Sequence, residues 1–445
     1  MLNRFVDAFK SKEVRGRIFF TLSILLIYVL GLLISVPGVT ARSTQVKEAL
    51  SGSDLLGVMN MLSGGALDSF SIFALGVSPY ITASIIVQLL QMGVLPKLQE
   101  LSEQGEAGRR KINEITRYLG LVLGAVQAYG MIVTLDNQGI FDFSSIFPPE
   151  VHKFWSYAYV IAVMLAGTMF VMWLSDQITQ KGIGNGVSMI IFAGIVKEIP
   201  TSYYQVWNSF MATAESGGGS FHALLQFIAY VIYTCGIILF VIFFERSFRK
   251  IPIQQSKAAF TMQTKMNYLP IKLNPGGVIP VIFAQAVLSA PVTILGFINS
   301  QSPLYQKLTT ILNISHVENG WPIALIIYVV LIFLFSYMYA HIQIDCDKIS
   351  ENLQKQGSYI PGIRSGKETK TYLSRVLNRV TFLGALSLSF IAAMPYVVPM
   401  LFPALATSSF GGTGLIIVVG VALETCSQMD GYVAERNYRT FNFNF

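Results

Sequence analysis

The chain has 445 residues, of which 53% are hydrophobic and only 12% charged, and its mean hydropathy is +0.56. Those proportions exclude an ordinary soluble domain and point to a membrane protein. The formal net charge of +7 is gathered on particular loops rather than spread along the chain.

Uncharged or nearly uncharged stretches of about 17–25 residues, the length that crosses a bilayer, recur along the sequence. In chain order they fall at 18–36, 72–93, 118–135, 154–174, 183–199, 223–244, 277–298, 321–342, 380–402 and 411–429, so ten transmembrane helices are expected. The first is not read as a cleaved signal peptide, because its apolar run is too long and no small-residue cleavage pattern follows Val36-Pro37-Gly38. Between the first and second spans, the stretch from Met61 to Phe70 is too short to cross and is broken by Gly64-Gly65. It reads either as an ordinary outside loop or as a re-entrant half-helix buried within protein. The stretch 200–221, with Pro200 and the run Ser216-Gly217-Gly218-Gly219-Ser220, reads as a flexible outside loop.

An internal repeat divides the spans. Gly76-Val77-Ser78-Pro79-Tyr80-Ile81-Thr82-Ala83 returns 201 residues later as Gly277-Val278-Ile279-Pro280-Val281-Ile282-Phe283-Ala284, with Gly, Val, Pro, Ile and Ala in register. Each copy opens the second span of a set of five. An odd number per set makes the second half enter the membrane from the opposite side, the pattern of inverted repeats. The expected architecture is an all-α membrane protein of ten helices in two inverted five-helix halves, 1–205 and 206–445.

Charge sets the orientation. With the N-terminus inside, 26 of the 31 Lys and Arg lie in inside segments, against 15 of the 24 Asp and Glu. The bias is specific to positive residues, so both termini are expected in the cytoplasm. The basic face is where anionic lipid or an acidic partner would meet the protein.

No catalytic or metal constellation emerges. Cys235, Cys346 and Cys426 have no pairing or metal spacing, and His152, His222, His316 and His341 are scattered. Gly182-Ile183-Gly184-Asn185-Gly186 lacks the preceding strand of a nucleotide fingerprint. The run from Gly362 to Glu368 resembles a phosphate loop but is one residue short, with Glu where Ser or Thr would hold magnesium. No cofactor is expected. Ion-coupled transport needs ionisable groups at mid-membrane, and the span interiors carry essentially none; Glu424 lies toward the cytoplasmic end of the tenth. Small polar residues take their place: Thr82, Ser84, Gln88, Gln127, Ser188, Gln285 and Ser289. That lining suits a large, chemically mixed passenger better than a small ion. An inverted-repeat secondary transporter and a membrane-embedded enzyme are the competing classes.

Several motifs in order, spread from residue 15 to about 430, carry a resemblance. Leu62-Ser63-Gly64-Gly65-Ala66-Leu67 runs into Phe70-Ser71-Ile72-Phe73-Ala74-Leu75-Gly76 and then Pro79-Tyr80-Ile81-Thr82-Ala83. Gly105-Glu106-Ala107-Gly108-Arg109-Arg110-Lys111, Gln177-Ile178-Thr179, Gly182-Ile183-Gly184-Asn185-Gly186 and Pro361-Gly362-Ile363-Arg364 follow. Together they resemble the SecY family of protein-conducting channels, in its bacterial form.

The resemblance implies a clamshell of two five-helix halves around an hourglass pore. A constriction ring would consist of Val77, Ile81, Val187, Ile191, Ile282 and Ile417, sealing against water and ions by dewetting. Residues 62–72, including Leu62, Ser63, Gly64, Gly65, Ala66 and Leu67, would be the plug. The second and seventh spans would form a lateral gate with Thr82, Gln127 and Ala290, the last standing where the family often has something larger or more polar. Cytoplasmic segments 245–272 and 343–379 would dock a SecA motor or the ribosome through Arg246, Arg249, Lys250, Lys257, Arg364 and Lys367. Lys265, Lys355 and Lys370 add charge to these segments. Gln255-Ser256-Lys257-Ala258 departs from the aromatic and paired basic residues common there, which leaves an accessory, substrate-restricted paralogue open. Small SecE-like and SecG-like membrane subunits, unfolded secretory and membrane protein chains, and the lipid bilayer complete the implied partners. Nucleic acid would be met only through the ribosome.

Overall fold

The computed structural model describes residues 12–37, 40–41, 60, 63–91, 95–137, 141–142, 153–213, 220–255, 267–299, 303–312, 323–401 and 412–441. Among these, all ten expected spans coincide with helices. They are Lys12–Gly31, Ser78–Gln91, Glu106–Asn137, Lys153–Lys181, Gly186–Thr213, Ser220–Glu245, Ile279–Asn299, Ile323–Gln343, Lys367–Leu401 and Gly412–Phe441. Seven described helices are each long and apolar enough to cross a bilayer. Ser78–Gln91 makes an eighth when joined to its sharply bent continuation Pro96–Ser102. The first span shows how such a helix sorts its faces. Thr21, Ile24, Leu25 and Tyr28 are buried, whereas Phe19, Leu22, Leu26, Leu30 and Leu33 are exposed, a surface for lipid rather than water.

Several boundaries differ from the sequence expectation. The second span is helical only from Ser78, because Pro79 favours the first turn of a helix and Gly76, at φ 53°, turns the chain just before it. The third and ninth helices run well past the apolar stretch into charged sequence, where good helix formers continue the coil. The expected loop from Pro200 onward is instead helix as far as Thr213. Pro200 deprives the Val196 carbonyl of its helical donor, and the helix continues through it with both residues exposed. The glycine run beginning at Gly217 lies outside the described residues.

The chain divides into two compact units. One comprises Met1–Tyr204, Ser289–Asn313 and Val421–Phe445, and the other Gln205–Leu288 and Ile314–Gly420. Two segments of the expected second half thus group with the first unit. In that unit, Glu106–Asn137 packs against Ser78–Gln91 and Lys153–Lys181, and Lys12–Gly31 also lies on Lys153–Lys181.

In the other unit, Lys367–Leu401 packs against Ile323–Gln343 and Ser220–Glu245. Its segments 245–272 and 343–379 contribute to a small sheet unforeseen in an all-helical reading. The strands are β3 (Phe248–Gln255), β4 (Asn267–Lys272) and β5 (Ser358–Tyr359) in the order β4-β3-β5, all antiparallel, while Thr40–Ala41 (β1) pairs with Phe141–Asp142 (β2) elsewhere. Alternation along β3 sends Ile251 inward onto Ile271, Ile360, Leu373 and Leu377, and leaves Phe248, Lys250 and Pro252 outside. The β3–β5 pairing joins the two segments that the sequence separates, and the Tyr359 hydroxyl donates to Gln254 Oε1 at 3.2 Å.

Helix Cys346–Lys355 lies within this body, its start held by Asp345. The Asp345 carboxylate accepts from the backbone N–H of Asp347 at 3.0 Å and of Lys348 at 3.1 Å, with Lys348 Nζ at 3.3 Å. Burial works to raise its pKa, but the hydrogen bonds and charge of Lys348, helped by Asp347, outweigh that and hold it below the ordinary aspartate value. A depressed carboxylate pKa means the cap is fully effective above the unfolded value near ~3.9 and fails as pH falls through the folded one. Replacing Asp345 with Ala is expected to cost about 1 kcal/mol of local stability at neutral pH. It should appear as faster amide exchange at Asp347 and Lys348 with no change elsewhere in the sheet.

Candidate functional site

The segment from Ser63 to Val77 is neither of the sequence alternatives. It is a chain of turns rather than a half-helix, and it is buried rather than an open loop. Backbone groups that leave helical pairing must find partners elsewhere, and here they do. Val36 N–H donates to Phe70 O and Ile72 N–H to Ile34 O, both at 3.0 Å, around a Ser35–Ser71 bridge. Ser71 N–H reaches Ala66 O at 2.8 Å and Gly76 N–H reaches Phe73 O at 2.7 Å. Asn60 staples the first turn. Its Oδ1 accepts from Leu67 N–H at 3.1 Å, its carbonyl accepts from Gly65 N–H at 2.8 Å, and its Nδ2 donates to Asp68 Oδ1 at 3.0 Å. The Tyr28 hydroxyl, on a fully buried ring of the first span, donates to Ser63 O at 3.0 Å.

Side chains anchor what the backbone has placed. Leu67, Phe70, Ala74 and Leu75 share one core with Met131, Ile132 and Leu135 of the third span and Val160 and Met164 of the fourth. Moving any of the larger ones into water would cost about 1.5–3 kcal/mol. Phe73 stacks on Tyr28 and on Phe170, with 6.0 Å between centroids in each pair. Phe70 takes a left-handed φ of 42°, a conformation that costs about 1–3 kcal/mol outside glycine. Its buried ring and the hydrogen bond from Val36 hold it there. Main chain also meets main chain here: a Cβ on Gly194 of the fifth span would stand 2.6 Å from Gly64 Cα, and one on Gly64 would collide with Gly194 in return. Only paired glycines fit, the small-residue logic of membrane helix contacts.

Leu62 lies outside the described residues, while Ser63, Gly64, Gly65, Ala66 and Leu67 are all buried in this seat. Tyr28, Asn60 and Gly194 escaped the sequence reading. Glycine in an apolar span was the available signal for Gly194, but nothing marked its partner. Glu198 was also missed; it is the acid four residues beyond Gly194 on the same helix, and its carboxylate lies against Gly65.

The candidate ring residues divide between the units. Val77 and Ile191 are buried and Ile81 and Val187 half-buried in the first unit. Ile81 follows Val77 by one helical turn, through Ile81 N–H donating to Val77 O at 3.0 Å, and Val187 and Ile191 are likewise one turn apart on Gly186–Thr213. In the second unit, Ile282 is half-buried and Ile417 is 3% exposed. There the start of the seventh span meets the tenth helix, since a Cβ on Gly420 would stand 3.1 Å from Val278. That contact is one turn from Ile417 on one side and one turn from Ile282 on the other. Phe283 faces Phe335 and Tyr339 of the eighth span at 5.7 and 6.1 Å, which fixes the rotation of the helix bearing Ile282.

Thr82, Gln127 and Ala290 all fall in the first unit. The Thr82 hydroxyl donates to Ser78 O one turn back at 3.1 Å, whereas the buried Gln127 amide oxygen has no partner among the described residues. Ala290 adjoins Pro291 in helix Ile279–Asn299.

The basic residues expected to dock partners fall on the sheet-containing body. Arg246, Arg249 and Lys250 are exposed, and Lys250 Nζ sits 5.3 Å from the Phe248 ring and 5.9 Å from that of Tyr268. Lys257 and Lys265 lie outside the described residues. Lys355 pairs with Glu351 at 3.6 Å and Lys370 with Asp347 at 2.6 Å, while Arg364 and Lys367 are exposed with no ion pair among the described residues. The turn presenting Arg364 is pinned by Thr369 Oγ1 donating to Arg364 O and Ser350 Oγ donating to Gly366 O, both at 2.8 Å.

Known proteins place this geometry in a family. The SecY family profile matches residues 71–426. The protein translocase subunit SecY of Streptococcus gordonii is 42% identical over 436 residues, covering 98% of this chain and 97% of the relative. Among solved structures, a SecY protein whose plug domain is described as stabilising the closed translocation channel and maintaining a membrane seal aligns with a TM-score of 0.66. It is 19% identical, with 93% of this chain and 91% of that one covered. Sec61 from a canine ribosome–channel complex of the endoplasmic reticulum aligns at 0.66 and 18% identity with the same coverage. At those identities the structures speak for the fold, and the sequence matches speak for descent. The chain belongs to the SecY family.

Proposed function

We propose that this chain is the central pore-forming subunit of a bacterial Sec protein translocon. In this reading it is a passive channel that carries unfolded secretory proteins across the cytoplasmic membrane and releases membrane segments sideways into the bilayer. Both termini lie in the cytoplasm. The halves 1–205 and 206–445 are the two inverted sides of a clamshell, and the chain performs no catalysis. The observation that carries this reading is the buried turn segment 63–77, which ends at Val77 and leads directly into the helix bearing Ile81.

Segment 62–72 acts as the plug. Its seat is made of hydrogen bonds and apolar contacts worth a few kcal/mol each, enough to hold a resting channel shut and small enough for a passenger to overcome. The apolar side chains Val77, Ile81, Val187, Ile191, Ile282 and Ile417 form the ring, which excludes ions without a charged gate. Thr82, Gln127 and Ala290 belong to the lateral gate. The bare amide oxygen of Gln127 supports a polar role there, because a buried acceptor without a donor favours rearrangement that supplies one.

Driving force comes from partners. The sheet that joins the cytoplasmic segments supports one docking face for a SecA motor or a ribosome, with Arg246, Arg249, Lys250, Lys257, Arg364 and Lys367 contributing charge. Arg364 and Lys367 suit this role better than Lys355 and Lys370, whose charges are already paired. Small SecE-like and SecG-like subunits would cover part of the exposed apolar helix surface, and lipid the rest.

Crosslinking tests the pathway directly. A secretory chain stalled in transit should crosslink to cysteines placed at 81, 282 and 417, and to none placed at the exposed positions 22 and 26; no crosslink at the first three would sink the channel reading. Replacing Gly194 with Val should unseat the plug at a cost of roughly 1–3 kcal/mol. A cysteine at position 66, buried in the parent, should then react with a membrane-impermeant thiol reagent, and export of proteins with defective signal sequences should rise. Arg364→Glu should stall motor-driven export while the body folds normally, as judged by unchanged protease resistance of 343–379.

A further inference from the structure

The motif Gly182-Ile183-Gly184-Asn185-Gly186 has no role in the function above, yet its amides are held by side chains from three helices besides its own residues. Ile183 N–H donates to Thr21 Oγ1 of the first span at 3.0 Å. Gly186 N–H donates to Thr179 Oγ1 of the fourth at 2.9 Å, and Val187 N–H to Asn185 Oδ1 at 3.1 Å. Gly184 N–H donates to Gln428 Oε1 of the tenth helix at 3.0 Å. Around that bond, the Thr425 hydroxyl stands 3.5 Å from Met189 Sδ while donating to Val421 O at 2.7 Å. Val14, Ile183 and Met429 are buried together, and the Arg17 guanidinium lies 4.7 Å over the Tyr432 ring.

We propose that this loop and the face Thr425–Gln428–Tyr432 form a joint that couples two ring-bearing helices, with Gln428 as its positioning residue. The loop runs covalently into Val187, and the helix that carries Gln428 also carries Ile417, eleven residues or about 16 Å earlier along a continuous coil. Holding Gly184 therefore sets where Val187 starts its helix relative to the helix of Ile417. Without the Gln428 acceptor the Gly184 amide is left bare in a half-buried place, and its cheapest remedy is a shift of the loop toward water. This inference rests on the pore-ring reading.

The test uses the full translocon in lipid bilayers, with two readouts. Gln428→Leu should speed amide exchange at 183–187 and raise resting ion conductance roughly fivefold, the population shift that follows loss of one ordinary hydrogen bond. Gln428→Glu keeps an acceptor of the same length and should match the parent in both. Should the Leu variant fail to accumulate, Gln428→Asn, whose acceptor falls one methylene short, carries the same expectation as Leu. Val187→Asn serves as the control that must leak if the ring is real. Faster exchange without leak, while Val187→Asn leaks, would overturn the coupling; equal leak from Gln428→Leu and Gln428→Glu would overturn the role of the acceptor. A silent Val187→Asn would instead overturn the pore-ring reading and leave the exchange result to decide whether the Gln428 contact exists.

Discussion

A bilayer offers no water to a bare peptide group, so any stretch of chain that abandons helical pairing at membrane depth must be bonded by the protein around it. The segment 63–77 meets that demand with bonds from the end of the first span, from Asn60 and from its own turns. Once the backbone is satisfied locally, its few large side chains decide the depth of the seat. Leu67, Phe70 and Leu75 share a core with two neighbouring helices, and the positions of those helices follow from the same burial.

Much of the helical scaffold was legible in the amino-acid order because the bilayer enforces a length. All ten expected spans fall on helices. The repeat of Gly76-Val77 and Gly277-Val278 was legible because helix entry demands particular residues at particular places, and both copies do precede a helix by one or two residues. Charged continuations of the third and ninth helices were hidden, since hydropathy sees only the apolar part. Helix across Pro200 was hidden because proline ordinarily ends a helical pattern, and here the helix continues through it.

The site was less legible than the scaffold. Apolar candidates such as Ile191 and Ile417 look like any buried isoleucine, and only the family resemblance singled them out. Gly194 and Gly64 are 130 residues apart in the chain, and no local pattern announces that two glycines touch. The sheet escaped notice because Pro252 argues against a strand in β3, and because β3 finds its second partner about a hundred residues downstream, at Tyr359. Long-range pairings of this kind depend on the fold as a whole, so a local reading finds the strands only after the helices are in place.

The meeting of Gly64 with Gly194 also sets how the seat behaves under load. Side chains yield by rotating, so contacts made by them loosen by degrees. Two bare backbones in contact have nothing to rotate, and a gap of about 0.5–1 Å forfeits a quarter to a half of their attraction. That part of the seat is brittle: small strains leave it in place, and a modest separation parts it.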